Sequence, residues 1–118
     1  MTEENMQQLW KNYQDAWADI SLAERQRLIR ASVAEDVVFT NPSTKGQGLQ
    51  NLLTNIGEFQ TQFPGAYFRS NRLLEQHGQL LSEWTMFNKD GSEFLTAHSY
   101  ACFNDEERLT YLGGFWKL

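Results

Sequence analysis

Apolar side chains in the first half of the chain recur at helical spacing. Met6, Trp10, Tyr13, Trp17 and Ile20 follow one another at steps of three and four residues, which places them on one face of a helix. Ser21-Leu22-Ala23-Glu24 then has the capping-box pattern, in which a serine oxygen and a glutamate carboxylate satisfy free backbone N–H groups, so a second helix opens there. Leu22, Ile29 and Val33 form its inner stripe, and Ala34-Glu35-Asp36 closes it. Val37-Val38-Phe39-Thr40 is β-branched and aromatic and predicts a short strand, ended by Asn41-Pro42 because proline cannot donate to a ladder. The stretch from Ser43 to Gly48 reads as a glycine-bearing loop. Leu49, Leu52, Leu53, Ile56, Phe59 and Phe63 predict a third helix, stopped by Pro64-Gly65.

The second half changes period. Residues 67–76, 80–88, 94–103 and 109–116 read as strands separated by turns at His77-Gly78, Lys89-Asp90-Gly91 and Asn104 to Glu107. Tight turns between evenly spaced strands predict an antiparallel meander. Both faces of these strands carry apolar groups. Phe94, Tyr100 and Cys102 point one way, and Leu95, Ala97, Ala101 and Phe103 the other; Leu112 and Trp116 oppose Tyr111 and Phe115. Helices can cover only one face of such a sheet. A second copy of the chain is the expected cover for the other.

The chain has 118 residues, which suits a single domain spanning 1–118. Aromatic residues make up 14%, enough to build both a dense core and the stiff walls of a cavity. The formal net charge is -5 and the basic residues are scattered, so there is no stripe to neutralise the phosphates of a nucleic acid or an anionic membrane. The stretch from Arg25 to Arg30 is locally basic and reads as the solvated face of a helix. Cys102 is the only cysteine, which precludes an internal disulfide and fits a reducing compartment. The polar N-terminus does not resemble a signal peptide, and no apolar run is long enough to span a membrane, so a cytoplasmic protein is expected.

The order helix, helix, strand ending in Asn41-Pro42, helix, antiparallel strands resembles the nuclear-transport-factor-2-like superfamily, whose members include ketosteroid isomerases and SnoaL-like polyketide cyclases. Three stretches carry the resemblance: Ala34 to Pro42, Phe63-Pro64-Gly65-Ala66-Tyr67-Phe68-Arg69, and Arg108-Leu109 through Gly114-Phe115-Trp116. The resemblance implies an α+β fold, a cystatin-like roll in which a cone-shaped, curved antiparallel sheet packs against three N-terminal helices around an internal ligand. It places Tyr13 and Trp17, Phe39 and Asn41, and Phe59 and Phe63 near that cavity. Counting along the strands from the last turn adds Ser99, Leu112, Gly114 and Trp116, and sends His98 and Tyr100 outward.

The chemistry of that family is only partly matched. Ketosteroid isomerases use one aspartate as base, with a tyrosine and a second, protonated aspartate holding the oxyanion. Here Asn41 precedes the proline, and Ser99 stands where relatives carry an inward aspartate. An amide has no basic site near neutral pH, so Asn41 cannot abstract a proton from carbon. Asn41 and Ser99 can instead orient a carbonyl or a hydroxyl, and Tyr13 roughly matches the oxyanion tyrosine.

Each candidate also has a plain structural role. Asn41 can cap the local turn, Ser99 can simply make space, and Tyr13 and Trp17 can be core. His98 reads as a buried imidazole bonded to neighbours or, in another register, as a base; His77 reads as an exposed turn residue. Glu83 beside Trp84 is either an exposed strand carboxylate or a group with a raised pKa.

No cluster has metal-ligand spacing, Gly46-Gln47-Gly48 lacks the rest of a phosphate loop, and neither Ser99 nor Cys102 has partners for a triad. The catalytic candidates are Tyr13, Asn41, His98 and Ser99. The expected function is binding of a small hydrophobic or aromatic molecule, without cofactor or metal, by a homodimer joined through its convex sheet face. The alternatives are a cofactor-free isomerase, cyclase or hydratase, and a protein-interaction module.

Overall fold

The computed structural model describes residues 2–117. Helices α1 (Glu3–Asp15) and α2 (Leu22–Ser32) precede strands β1 (Val33–Asn41) and β2 (Thr44–Gln47). Helix α3 (Leu49–Gln62) follows, and then strands β3 (Tyr67–Gln76), β4 (Gln79–Phe87), β5 (Glu93–Phe103) and β6 (Leu109–Phe115). The strands form a six-stranded sheet in the order β2-β1-β6-β5-β4-β3. The architecture is α+β: a curved, open sheet whose inner face is roofed by helices.

Both helix starts are capped as their sequences require. Thr2 Oγ1 accepts from the Asn5 N–H at the head of α1, and Ser21 Oγ accepts from the Glu24 N–H at the head of α2. Helix α1 stops at Asp15, however, and does not run on to Ile20. Trp17 and Ile20 keep the helical spacing yet lie in the following turn, packed against the core. Arg25 explains the turn. Its guanidinium donates to the carbonyls of Ala16 at 2.9 Å and Ala18 at 3.0 Å, oxygens that the end of α1 leaves without helical partners. Arg25 is therefore buried and does not belong to a solvated basic face.

The sheet departs from the sequence reading in three places. Strand β1 begins at Val33 rather than Val37, because Ser32 Oγ closes α2 on the Leu28 carbonyl at 2.7 Å and Val33 already pairs with Leu109. The stretch after Pro42 is not a loop but the short strand β2, antiparallel to β1, so α3 follows two strands and is not N-terminal to the sheet. The sheet is mixed, since β1 runs parallel to β6. The other neighbours are antiparallel, and β3 to β6 form the expected meander. Its first turn is a two-residue one in which His77 (φ 45°) and Gly78 (φ 77°) both adopt the left-handed backbone that matches strand twist.

Side-chain size then decides where the interior is full and where it is hollow. One inner row runs Phe39, Leu112, Ala101, Leu80 across four strands, and all four residues are buried in the main core beneath the helices. The next inner row runs Gly114, Ser99, Ser82, with Asn41 beside Gly114. These side chains are small, and the space above them is not filled by the sheet.

A bulge breaks the alternation of β5. Met86 pairs with Leu95 and Phe87 with Glu93, so Phe94 is the extra residue. Phe94 consequently lies half exposed at the edge of the cavity against Phe63, not outward with Tyr100 and Cys102 as strict alternation predicts.

Candidate ligand-binding cavity

Above the row of small residues lies a cavity of about 550 Å³, within the range of sites that hold drug-sized molecules. Aromatic rings wall it almost continuously. On the helix side the chain of ring contacts runs Trp10, Tyr13, Trp17, Phe59, Phe63, with centroids 5.1 to 6.4 Å apart, and Phe63 reaches Phe94 at 5.4 Å. On the sheet side Phe68, Trp84 and Trp116 continue it at 5.1 and 6.1 Å. Most of these contacts are tilted or edge-to-face, the arrangement the ring quadrupoles favour, so the walls are stiff as well as apolar.

Trp17 is held by polar contacts behind it. Gln60 Nε2 donates to the Trp17 carbonyl at 2.7 Å and to the Ala66 carbonyl at 2.9 Å, while Gln60 Oε1 accepts from the Gly65 N–H. One half-buried amide thus ties the turn after α1 to the end of α3. Gly114 sets the position of Trp116: a Cβ there would meet Trp116 Cζ3 at 2.7 Å. The indole therefore lies directly on the glycine.

Polar side chains interrupt this wall, among them Gln14, Asn41, Asn55 and Ser99, and the charged Glu58 and Lys117 lie exposed at its rim. Burial pushes the Tyr13 phenol well above its ordinary pKa, and a hydrogen bond with the Trp17 side chain offsets part of that rise. Tyr13 accordingly keeps its proton and serves as a donor. Asn41 Oδ1 accepts from the Ser43 N–H at 2.9 Å and from the Thr44 N–H at 3.0 Å. Those bonds make the turn into β2, so the local-capping role read from Asn41-Pro42 is present. Ser99 Oγ accepts the Trp84 indole N–H at 2.9 Å.

Tyr13, Trp17, Phe39, Asn41, Phe59, Phe63, Ser99, Leu112, Gly114 and Trp116, the residues expected near an internal ligand, all line this cavity. His98 does not. It points outward from β5, is 55% exposed, and its Nε2 stands 3.6 Å from Glu83 Oε1. The expectation of a buried imidazole fails because alternation sets His98 on the opposite face from Ser99, and none of the described residues covers it there. Glu83 is on that face too, so neither can reach the cavity as acid or base.

Sequence reasoning missed Trp84 and Met86, whose period-two spacing after Ser82 was a usable signal, and Phe94, whose bulge has none. It also missed Glu58, the single carboxylate among the described lining residues, which is exposed at the rim. No histidine is among those residues, and no group of three His, Cys, Asp or Glu side chains among the described residues is placed to hold a metal ion.

No protein-family model matches the sequence, and no curated protein matches it. Solved structures do. A SnoaL-like family protein from Agrobacterium tumefaciens strain C58 superposes with a TM-score of 0.88 at 21% identity, over 98% of this chain and 99% of that one. This chain has the nuclear-transport-factor-2-like fold. A protein of that type and of unknown function from an Exiguobacterium species superposes at 0.73 with 15% identity, over 90% and 95% of the two chains. A de novo designed protein with a curved β-sheet does so at 0.75 with 9% identity, over 99% and 88%. A designed chain reaching the same shape makes the point that the nuclear-transport-factor-2-like fold is a scaffold; what this cavity does must be argued from its lining.

Proposed function

We propose that this protein binds a small, apolar, ring-containing molecule inside the cavity. The observation that carries the reading is the wall itself: stiff aromatic rings around about 550 Å³, interrupted by neutral hydrogen-bonding groups and by no buried charge. Such a site gains affinity by excluding water from apolar surface and orients its ligand with a few polar contacts. Proton abstraction from carbon needs a base within reach of the ligand. Tyr13 is held protonated, Asn41 and Ser99 are not bases, and Glu58 is hydrated at the rim, so the lining favours binding over acid–base turnover.

A thermal-shift titration with fused-ring compounds tests this. A saturable rise in Tm for wild type, abolished when Ser99→Leu fills the space above the small row, supports the reading. No rise with any ring compound contradicts it.

The outer sheet face supports a homodimer. Val38, Leu74, Leu81 and Phe115 are 37, 47, 46 and 60% exposed on that face, where large apolar groups are better covered. The Tyr100 and Tyr111 hydroxyls are already bonded to Gln79 and Thr40. Arg72 lies opposite Glu83, so the surface carries both signs of charge, as a self-complementary contact requires. Sedimentation should give twice the chain mass for wild type and the single mass for Phe115→Glu. A wild-type monomer at tens of micromolar would refute this part.

A further inference from the structure

Three consecutive backbone carbonyls around Trp17 each receive a side-chain N–H. Arg25 Nε donates to the Ala16 oxygen at 2.9 Å, Gln60 Nε2 to the Trp17 oxygen at 2.7 Å and Arg25 Nη2 to the Ala18 oxygen at 3.0 Å. Arg25 belongs to α2 and Gln60 to α3, so the turn after α1 is gripped from two other helices. Neither residue lines the cavity, so neither meets a molecule held there. Trp17 does. Its indole packs edge-on against Tyr13, Phe59 and Phe68, with centroids 6.4, 5.4 and 6.1 Å away. Those rings come from α1, α3 and β3. A rotation of the Trp17 backbone would therefore disturb the wall where three elements meet.

The chemistry of the grip is specific. Arg25 is buried, and among the described residues no carboxylate pairs with it. Taking an unpaired guanidinium out of water is unfavourable, and an apolar side chain of similar volume would fill the same space. What the guanidinium adds is geometry: a planar fork that presents two donors at fixed spacing to carbonyls two residues apart. A lysine ammonium has no such fork.

We infer that Arg25 and Gln60 are positioning residues of the ligand cavity, fixing the Trp17 turn so that the ring wall is formed before a ligand arrives. A wall that is already ordered does not have to be ordered by the ligand, and binding is tighter by that difference. The inference rests on ring binding in the cavity and adds to the site two residues that stand behind its wall.

The test measures affinity for 2-acetylnaphthalene by calorimetry, well below the Tm of each variant. Arg25→Gln should weaken binding roughly three- to tenfold, the effect of leaving one or two wall side chains for the ligand to order. Arg25→Lys should recover part of the loss, since an ammonium can still reach one carbonyl. In a Trp17→Leu background, Arg25→Gln should weaken binding less than about twofold, because no indole is left to position, while its Tm loss persists. A second readout needs no ligand. In a proton–nitrogen correlation spectrum, Arg25→Gln should move or broaden the Trp17 indole N–H signal and leave that of Trp116 in place. Full affinity in folded Arg25→Gln, an equal affinity loss in both backgrounds, or an unmoved Trp17 signal overturns the inference while leaving ring binding intact. If 2-acetylnaphthalene does not bind wild type, ring binding itself fails, and the inference falls with it. Should Arg25→Gln not fold, Gln60→Glu decides by the same readouts, since it keeps an oxygen for the Gly65 N–H and removes the donor to Trp17.

Discussion

Trp84 on β4 and Ser99 on β5 are joined diagonally across the inner face of the sheet, the indole N–H donating to the serine oxygen at 2.9 Å. The bond fixes a wall of the cavity and orients an anchor with a single contact. Ser99→Ala leaves the indole N–H without its partner, and the expected loss is about 1–3 kcal/mol. Urea denaturation of Ser99→Ala, Trp84→Phe and the double variant checks it. Once the indole is gone the serine has less to lose, so the double variant should be more stable than the sum of the single losses implies, by about 1 kcal/mol.

Gly114 gives a steric prediction. The alanine methyl of Gly114→Ala would sit 2.7 Å from Trp116 Cζ3 and 3.4 Å from Asn41 Cβ. The indole must tilt off the strand, and overpacking of this kind costs about 1–3 kcal/mol. Tryptophan emission should shift and ring-ligand affinity should fall, both readable in one fluorescence titration. An unshifted spectrum with full affinity would mean that Trp116 does not form the wall.

Much of this arrangement was legible in the chain, for identifiable reasons. Ser21 and Glu24 mark a helix start locally, and His77-Gly78 marks a two-residue turn locally, so neither needs the rest of the fold. Alternation places Ser99 and Gly114 in the interior, which works wherever a strand is regular, whereas Asn41 is placed there only by the resemblance. Where tertiary structure overrides local pattern, the reading failed. Nothing near Val33 announces a parallel partner at Leu109, because that pairing joins residues from opposite ends of the chain. Thr44 to Gln47 carries no apolar signal and is a strand because β1 offers it an edge, with Gly46 leaving room for the Phe39 ring. Strict alternation sends Phe94 outward, and the bulge shifts the count by one. Trp17 kept helical spacing beyond the helix because the turn also faces the core, and only the buried Arg25 reveals the break.

Tyr13 predicts a pH dependence. Burial raises its folded-state pKa above the ordinary tyrosine value of about 10. Below about pH 10 both states hold the proton, and Tyr13 adds no slope to stability. Above that, the unfolded chain releases the proton and the folded chain keeps it, so stability falls as pH rises toward the folded-state value. The slope should reach at most about 1.4 kcal/mol per pH unit, one proton's worth. Urea midpoints at pH 8 and pH 10.5 should converge for wild type and Tyr13→Phe if the phenol stabilises the fold at pH 8, since the phenylalanine variant lacks that loss. Parallel pH profiles would contradict the assignment.

His98 and Glu83 supply the control. Both lie on the outer face and are substantially solvent-exposed. His98→Ala and Glu83→Gln should leave ring-ligand affinity within about twofold of wild type, since distant sites act independently. A large loss in either variant, measured by the same fluorescence titration, would place the working chemistry on the other side of the sheet.

The most direct examination of the cavity is a crystal structure grown with 2-acetylnaphthalene. The expected result is density for the fused rings between Trp17 and Trp116, over Gly114 and Ser99 and beside Asn41. Density confined to the outer sheet face, or an interior closed by Trp116 with no room for a ring, would contradict it.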